Sequence, residues 1–175
     1  IPTHKFIEGS FRNWRGMQNS GGRRIKRAIF IDLNSVKFLT DKEIGHLSKY
    51  EFLQGYMAEK NEELSSQNAQ KSDETSVIPD LRRLTNIGTF RAYILHYLRE
   101  NARIHQDMTL LVRQLAPGSQ GLPLEIYCFA SDTQWAVYED IQSDIFDHLI
   151  AILPEFELRV FQEPSGSDVH DLLKA

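Results

Sequence analysis

The chain has 175 residues, of which 41% are hydrophobic and 25% charged, and its formal net charge is −4. This composition excludes wholesale disorder and a coiled-coil rod, and the longest apolar runs, 28–33 and 149–153, are far shorter than the roughly 18 to 20 residues of a membrane-spanning helix. A single cysteine, Cys128, excludes an internal disulfide and a cysteine-based zinc site, and fits a reducing cytosolic compartment better than secretion.

Charge is unevenly distributed along the chain. Residues 1–37 carry eight Lys or Arg against two acids, a balance of +6. The remaining residues carry twelve basic against twenty-two acidic groups, a balance of −10. This split indicates two units with different surroundings, one of which is expected to face something anionic.

The first 22 residues are too few for a domain of their own. Phe6, Phe11 and Trp14 need a partner surface to cover them, and the Ser-Gly-Gly run at 20–22 is typical of a turn or hinge. We therefore predict that this segment is the last strand or two of a small β module. The chain starts at Ile1 without an initiator methionine or a signal-peptide pattern, so we expect it to be part of a longer protein.

Strict alternation predicts a β-strand from Ile25 with one buried face. The residues expected on that face are Ile25, Ile29, Ile31 and Leu33. Thr40 and Glu43 then match a capping box, which satisfies free amide groups at a helix start. The helix that follows is expected to bury Ile44, Leu47, Phe52, Leu53, Tyr56 and Met57. Residues 65–79 are polar and poor in large apolar groups, so burial cannot offset their ordering entropy and we predict a flexible insertion there.

The rest of the chain continues the mixed pattern of helices and strands. Its predicted elements are, in order, a helix from about Ile87 to Arg103 capped by Asn86, strands over 108–115 and 122–130 joined by a Pro- and Gly-containing hairpin connection, a helix opened by the capping-box pattern at 131–134 and ended by Pro154, and a strand over 157–162. Cys128 falls on the inner face of the strand over 122–130, where we expect a small buried residue.

The order of these elements predicts the fold class. With the two early helices treated as one interrupted crossover, it is the split βαβ pattern of a ferredoxin-like α+β fold. One face of the sheet then carries the helices, and the other is covered by something else or left wet. The predicted units are residues 1–22, the end of the β module, and residues 23–175, one domain with the polar insertion at about 65–79.

No catalytic or metal-binding constellation is evident. The six histidines show no HxxxH or HxH spacing, and we expect no metal and no cofactor. The best local candidate is Asp144 with His148, one helical turn apart beside Asp140 and Asp147, which would suit a divalent ion or an acid/base pair. A solvated acidic helix face is the interpretation we favour. Phosphate-cradling glycine motifs and a GxSxG elbow are missing from the sequence, which predicts no enzyme.

One charged feature supports a functional hypothesis. Interleaved with Phe11 and Trp14 are the cations Arg12, Arg15, Arg23, Arg24, Lys26 and Arg27. Such a run suits phosphate contacts and base stacking on nucleic acid, but the chain is net acidic and has no aromatic RNA-binding motif. We therefore expect no nucleic-acid partner and favour a surface near an anionic membrane leaflet or beside acidic neighbours in an oligomer.

Several long strings of this sequence resemble the miniconductance branch of the MscS (small-conductance mechanosensitive channel) family. They are residues 11–18 (FRNWRGMQ), 20–27 (SGGRRIKR), 85–93 (TNIGTFRAY), 105–109 (HQDMT), 120–127 (QGLPLEIY), 144–149 (DIFDHL) and 153–156 (LPEF). The resemblance covers nearly the whole chain apart from residues 65–79, and shared strings of this length are far more specific than a short motif.

The resemblance implies an architecture and a function. Residues 1–22 look like the end of an Sm-like β domain under the pore, and residues 23–175 look like the cytoplasmic α/β domain that builds a hollow cage around a symmetry axis. The implied protein is a tension-gated ion channel, typically a homoheptamer, which releases ions and solutes on hypoosmotic shock through side portals in the cage.

The resemblance also implies partners and a location. The partners are further copies of the chain, permeating ions, and the lipid bilayer through a transmembrane segment that this sequence lacks. The location is the cytoplasmic face of the bacterial inner membrane, with this fragment itself soluble. Gating and conduction are not expected to reside in the fragment alone.

Two other classes of protein remain open. One is a stand-alone ferredoxin-like regulatory, ligand-binding or nucleic-acid-binding module. The other is a small ferredoxin-like enzyme such as an acyl-phosphate hydrolase, which would need a phosphate-cradling loop near an Arg and an Asn that the sequence does not show. Hydrophobic stretches of about 20 residues upstream of Ile1 would favour the channel over both.

Overall fold

The computed structural model describes residues 21–69 and 81–163. Their helices and strands are, in chain order, β1 (Arg23–Ile31), α1 (Asp41–Leu47), α2 (Glu51–Ala69), α3 (Asn86–Glu100), β2 (Leu111–Gln114), β3 (Leu122–Ala130) and α4 (Trp135–Ile152). Two short 3-10 helices, Leu33–Ser35 and Leu153–Phe156, follow β1 and α4. The mixture of helices with an antiparallel sheet confirms the α+β class.

β3 is the central strand of a three-stranded sheet with the order β1-β3-β2. Ile25 lies opposite Cys128, and Arg113 lies opposite Glu125. Both outer strands are antiparallel to β3 and are therefore parallel to each other. One face of β1 and β3 is buried through Ile25, Ile29, Ile31, Leu122, Leu124, Ile126, Cys128 and Ala130.

The core lies between that sheet face and the helices. α3 and α4 each contribute apolar residues at three- and four-residue spacing, the period of one helix face. The buried side chains are Phe90, Ile94 and Leu98 on α3 and Ile141, Ile145 and Leu149 on α4. Phe156 closes the core, with its ring 5.0 Å from that of Phe90. Full burial of each such side chain stabilises the fold by roughly 1.5 to 3 kcal/mol.

The capping box at Thr40 is confirmed. The Thr40 hydroxyl accepts from Glu43 N (3.4 Å), and Glu43 Oε2 accepts from Thr40 N (2.8 Å). The single helix expected after it is wrong, because α1 ends at Leu47 and α2 begins at Glu51. Leu47 and Leu53 are both buried, yet six residues place them about 240° apart on a continuous helix. The break turns both side chains toward the core.

The predicted cap of α3 is wrong by one residue. Thr85 is the N-cap, and its hydroxyl accepts from Gly88 N (3.2 Å). Asn86 is buried in the first turn, where its amide joins α3 to the loop after β1: Oδ1 accepts from Lys37 N (3.0 Å) and Nδ2 donates to Ser35 O (2.8 Å). The helix also ends at Glu100, before the predicted boundary.

Two strand predictions are too long at the ends. β1 stops at Ile31, because Asp32 accepts from Asn34 N (2.9 Å) and starts a 3-10 turn in which Leu33 is 47% exposed. β2 covers only 111–114 of the predicted 108–115. The hairpin partner β3 has the predicted bounds, 122–130.

The predicted strand over 157–162 is not formed. Glu157 has a left-handed backbone (φ 55°), after which the chain makes one isolated antiparallel bridge, Ile31 to Val160. Its flanking hydrogen bonds run from Asp32 N to Arg159 O (2.8 Å) and from Phe161 N to Phe30 O (2.7 Å). Among the described residues the sheet is therefore three-stranded, with a single bridge where the fourth strand was expected.

Two further predictions are corrected at helix boundaries. The capping box at 131–134 is absent: α4 begins after Gln134 without a side-chain cap, and Asp132 accepts from Gln134 N (2.7 Å) instead. Residues 65–69 of the predicted insertion belong to α2, and Asn68 is tied to Arg82 by two 3.0 Å hydrogen bonds. The rest of the insertion, 70–79, and the β-module segment up to residue 20 lie outside the described residues.

Candidate interaction surface

The basic run singled out in the sequence lies partly on β1, where the pleat divides it. Successive side chains of a strand point to opposite faces. Arg23 and Arg27 therefore share the face that carries the helices, and Arg24 and Lys26 share the other. Outside the described residues lie the remaining members of the run, Arg12 and Arg15, together with Phe11 and Trp14. The described cations thus form two groups rather than one patch.

The cations on the helix side are used in packing against α4. The guanidinium carbon of Arg23 lies 4.2 Å from the ring centre of Tyr138, and that of Arg27 lies 4.3 Å from the ring centre of Phe146. Both distances are within the range of cation–π attraction. The Tyr138 hydroxyl also donates to the backbone oxygen of Arg24 (3.0 Å). These contacts hold α4 against the outer edge of β1.

The opposite side of the sheet is the candidate interaction surface, and we refer to it as the open sheet face. By strand register it consists of Arg24, Lys26, Phe30, Leu111, Arg113, Glu125, Tyr127 and Phe129. The rings of Tyr127 and Phe129 meet edge to face with 5.7 Å between their centroids. The guanidinium carbon of Arg24 lies 5.9 Å from the ring centre of Tyr127. Phe30 is 38% exposed. The apolar core of the described residues lies on the other side of the sheet.

A buried carboxylate joins the three strands on the open sheet face. Glu125, on β3, is only 5% exposed. Its Oε1 accepts from Arg113 Nε on β2 (2.7 Å), and its Oε2 lies 3.8 Å from Lys26 Nζ on β1. The two cations are half exposed. Arg113 and Lys26 therefore compensate the charge of the buried Glu125 carboxylate. Together the three groups leave a net positive charge on this face.

Aromatic rings and arginines, on a face that no described helix covers, are a combination enriched at protein–protein contacts. The open sheet face offers rings for apolar contact and cations for acidic neighbours. The net positive charge of this face complements the excess of acidic groups in residues 38–175. The surface is thus chemically suited to bind another copy of the same protein.

The structure does not bring Asp144 and His148 together as an acid/base pair. Asp144 and Asp140 are both bound by Arg103, at 2.7 Å and 2.6 Å. His148 Nε2 instead lies 2.9 Å from the hydroxyl of Tyr93. Within the described ranges no cluster of three or more His, Cys, Asp or Glu side chains is placed to hold a metal ion.

His148 lies within an aromatic cluster. Its ring is stacked on Tyr97 with 4.4 Å between centroids, and burial lowers its pKa from the usual 6.5. Burial also raises the pKa of its hydrogen-bond partner Tyr93 to about 12. A neutral imidazole that accepts from a neutral hydroxyl is therefore the state that this packing favours.

Sequence reasoning missed a polar junction between the C-terminal end of α1, with the loop after it, and the 3-10 helix that follows α4. Glu155 accepts from Tyr50 OH (3.0 Å) and pairs with His46 Nε2 (2.9 Å). These two hydrogen bonds, with His46 the larger cause, lower the pKa of the Glu155 carboxyl. More than 100 residues separate the partners along the chain, so no local pattern signals the contact.

Cys128 is buried as predicted, with no exposed surface. Burial raises the pKa of its thiol to about 12. A thiol that is neither ionised nor reachable is not a nucleophile. Cys128 therefore serves as a small core residue of β3.

Comparison with protein families matches the second half of the described chain. Residues 85–160 fit the model described as the C-terminal region of the mechanosensitive ion channel MscS. The matched segment runs from the cap of α3 through β2, β3 and α4 to the bridge at Val160, and it contains most of the open sheet face. This part of the chain is therefore similar to the C-terminal region of a mechanosensitive channel, which supports the MscS family. Among the described residues, no helix is both long and apolar enough to cross a membrane.

Proposed function

We propose that this chain forms part of the cytoplasmic vestibule of a tension-gated channel of the MscS family, of the miniconductance type. The observation that carries the proposal is the family match over residues 85–160. The vestibule surrounds the inner mouth of the pore, and ions and small solutes released on hypoosmotic shock pass through its side openings. Pore helices upstream of Ile1 anchor it at the inner face of the bacterial plasma membrane.

The strand order supports a ferredoxin-like arrangement of the vestibule domain. β3 lies between β1 and β2, which are joined by helices, and β3 is followed by α4 and the bridge at Val160 on the outer edge of β1. This is the spatial order of a split βαβ unit. Within residues 21–69 and 81–163, one face of the sheet carries no helix, and in this proposal that face binds a neighbouring subunit.

Assembly through the open sheet face follows from its composition. Tyr127, Phe129 and Phe30 provide the apolar contact, while Arg24, Lys26 and Arg113 face acidic side chains of the next subunit. Closed rings need a surface that meets a different surface on each neighbour. We propose a homoheptamer, which native mass spectrometry of the membrane-anchored protein tests. A monomer or dimer as the main species would contradict it.

The vestibule works without catalysis in this proposal. The strongest acid/base candidate, Asp144 with His148, is divided between Arg103 and Tyr93, and Cys128 is buried. The charged groups act through packing, assembly and the electrostatic field along the ion path.

Survival of dilution shock tests the function. Cells without their own mechanosensitive channels are given the chain joined to the sequence that precedes Ile1 in its reading frame, and are then diluted into water. The proposal expects protection, and it expects none from the same protein without residues 85–160. A matched control is Glu59→Gln, which alters an exposed side chain on α2 and is expected to protect fully. Equal survival with and without residues 85–160, at equal membrane abundance, would contradict the proposal.

A further inference from the structure

The outer edge of β1 carries backbone groups that the rest of the sheet does not use. In an antiparallel strand, the N–H and C=O groups of alternate residues point to the same side. The carbonyls of Arg24 and Phe30 bind Tyr138 OH and Phe161 N, both on the side away from β3. Lys26 and Ala28 have the same parity, so their N–H and C=O groups point to the same outer edge.

This open stretch of edge is bounded at both ends. Tyr138 occupies the carbonyl of Arg24 at one end, and Phe161 occupies that of Phe30 at the other. Between them, the backbone groups of Lys26 and Ala28 have no hydrogen-bond partner within 21–69 and 81–163. An unpaired edge of this kind is a template for one more strand.

The chain itself arrives at this edge in the orientation that pairing requires. Val160 is opposite Ile31 in an antiparallel bridge, and Phe161 N donates to Phe30 O. If that register continued, Glu163 would come opposite Ala28 and Ser165 would come opposite Lys26. In the structure the backbone pairing stops after Phe161, and the described residues end two positions later.

The sequence after Phe161 suits the same register. In that register the backbone of the even-numbered positions, including Pro164, would point away from β1, so the missing N–H of proline would cost no sheet hydrogen bond. Gly166 follows in the sequence, and a glycine there would let a docked chain turn away before the occupied carbonyl of Arg24. Glu163 would share the open sheet face with Lys26, its diagonal neighbour across the strands.

We propose that the outer edge of β1 between Arg24 and Phe30 is a docking site for the chain's own segment 162–166. Docking extends the bridge at Val160 into a fourth strand through the backbone groups of Lys26 and Ala28. The segment is tethered beside its site, so its effective concentration exceeds that of a second copy at ordinary protein concentrations. This inference concerns the edge of the sheet and does not depend on the proposed channel function.

Amide hydrogen exchange measured by NMR tests the proposal residue by residue. The amides of Lys26 and Ala28 are compared between the full chain and a chain that ends at Glu163. Docking predicts that both amides exchange at least about tenfold faster in the shortened chain. Ile25 and Arg27, whose amides point toward β3, are internal controls and are expected to be unchanged. Equal exchange of Lys26 and Ala28 in the two chains would overturn the proposal.

Two point variants separate docking from a general loss of stability. Ser165→Pro removes the N–H that would donate to Lys26 O, and it is expected to speed exchange at Lys26. Pro164→Ala alters a position that points away and is expected to leave exchange unchanged. If the protection of Lys26 and Ala28 falls on dilution of the full chain, a second copy occupies the edge and the proposal is wrong.

Discussion

Arg113 and Glu125 lie directly opposite each other on β2 and β3, and the guanidinium binds one carboxylate oxygen through both Nε (2.7 Å) and Nη2 (2.6 Å). The other oxygen faces Lys26 on β1. A side chain that is 5% exposed thus links all three strands on a face that carries no described helix.

Replacement of Glu125 by Gln is predicted to lower the free energy of unfolding by about 1 to 2 kcal/mol, because two cations lose their shared acceptor. This loss of stability is small for a buried ion pair, because Arg113 is half exposed and solvent screens its charge. Urea unfolding followed by circular dichroism measures it. Glu59→Gln is the control, expected to change stability by less than about 0.5 kcal/mol.

Asn86→Ala is predicted to be more damaging than removal of the cap itself. The Asn86 side chain is buried and bonds Ser35 O and Lys37 N, so its loss leaves buried backbone groups unpaired and costs about 2 to 3 kcal/mol. Thr85→Ala costs about 1 kcal/mol, the usual value for an N-cap. Thermal unfolding of both variants is compared with that of Asn34→Ala, an exposed control. The reverse order would show that Asn86 is only a helix residue.

Acid is predicted to remove the contribution of Glu43. Hydrogen bonds from Lys37, and then from Thr40, lower the pKa of this carboxyl from 4.5 to about 2. A carboxyl whose pKa is lowered by folding contributes stability that is present above pH 4.5 and is lost as the pH falls toward about 2. The stability difference between the parent and Glu43→Gln should shrink over that window. A difference that stays constant from pH 6 to pH 2 would contradict the assignment.

Mild acid is predicted to weaken the packing around His148. Burial lowers the pKa of His148 below 6.5. The contribution of the neutral ring to the free energy of unfolding is therefore complete above pH 6.5, and it is lost as the pH falls through the lower pKa of the folded state. His148→Gln should therefore reduce the loss of stability below pH 6.5. His96→Gln is the matched control, because no hydrogen bond or ring contact of His96 is present among the described residues. An unchanged pH profile in His148→Gln would show that this ring does not drive the effect.

Local patterns predicted the elements well where the chemistry was local. Alternation located β3 and its buried Cys128, and the capping box at Thr40 was found because its partners are three residues apart. The break between α1 and α2 was missed, because it depends on the core that Leu47 and Leu53 both reach. The role of Asn86 was missed because its partners lie about 50 residues away.

The candidate surface was predictable only in part. The cations of β1 were visible in the sequence, but which of them share a face depends on where the strand begins and on the alternation of its side chains. Glu125, the acid that pairs with Lys26, lies on a strand about 100 residues later. A fourth strand was predicted over 157–162. The structure shows one bridge there, because Glu157 has a left-handed backbone and the described pairing with β1 ends at Phe161.

Current recorded from membrane patches under suction tests the central claim most directly. The chain is reconstituted with the sequence that precedes Ile1 in its reading frame, and pressure is stepped while single channels are observed. The account predicts a conductance that opens with tension in the parent and is lost when residues 85–160 are removed. A correctly inserted protein that carries no tension-dependent current would contradict it.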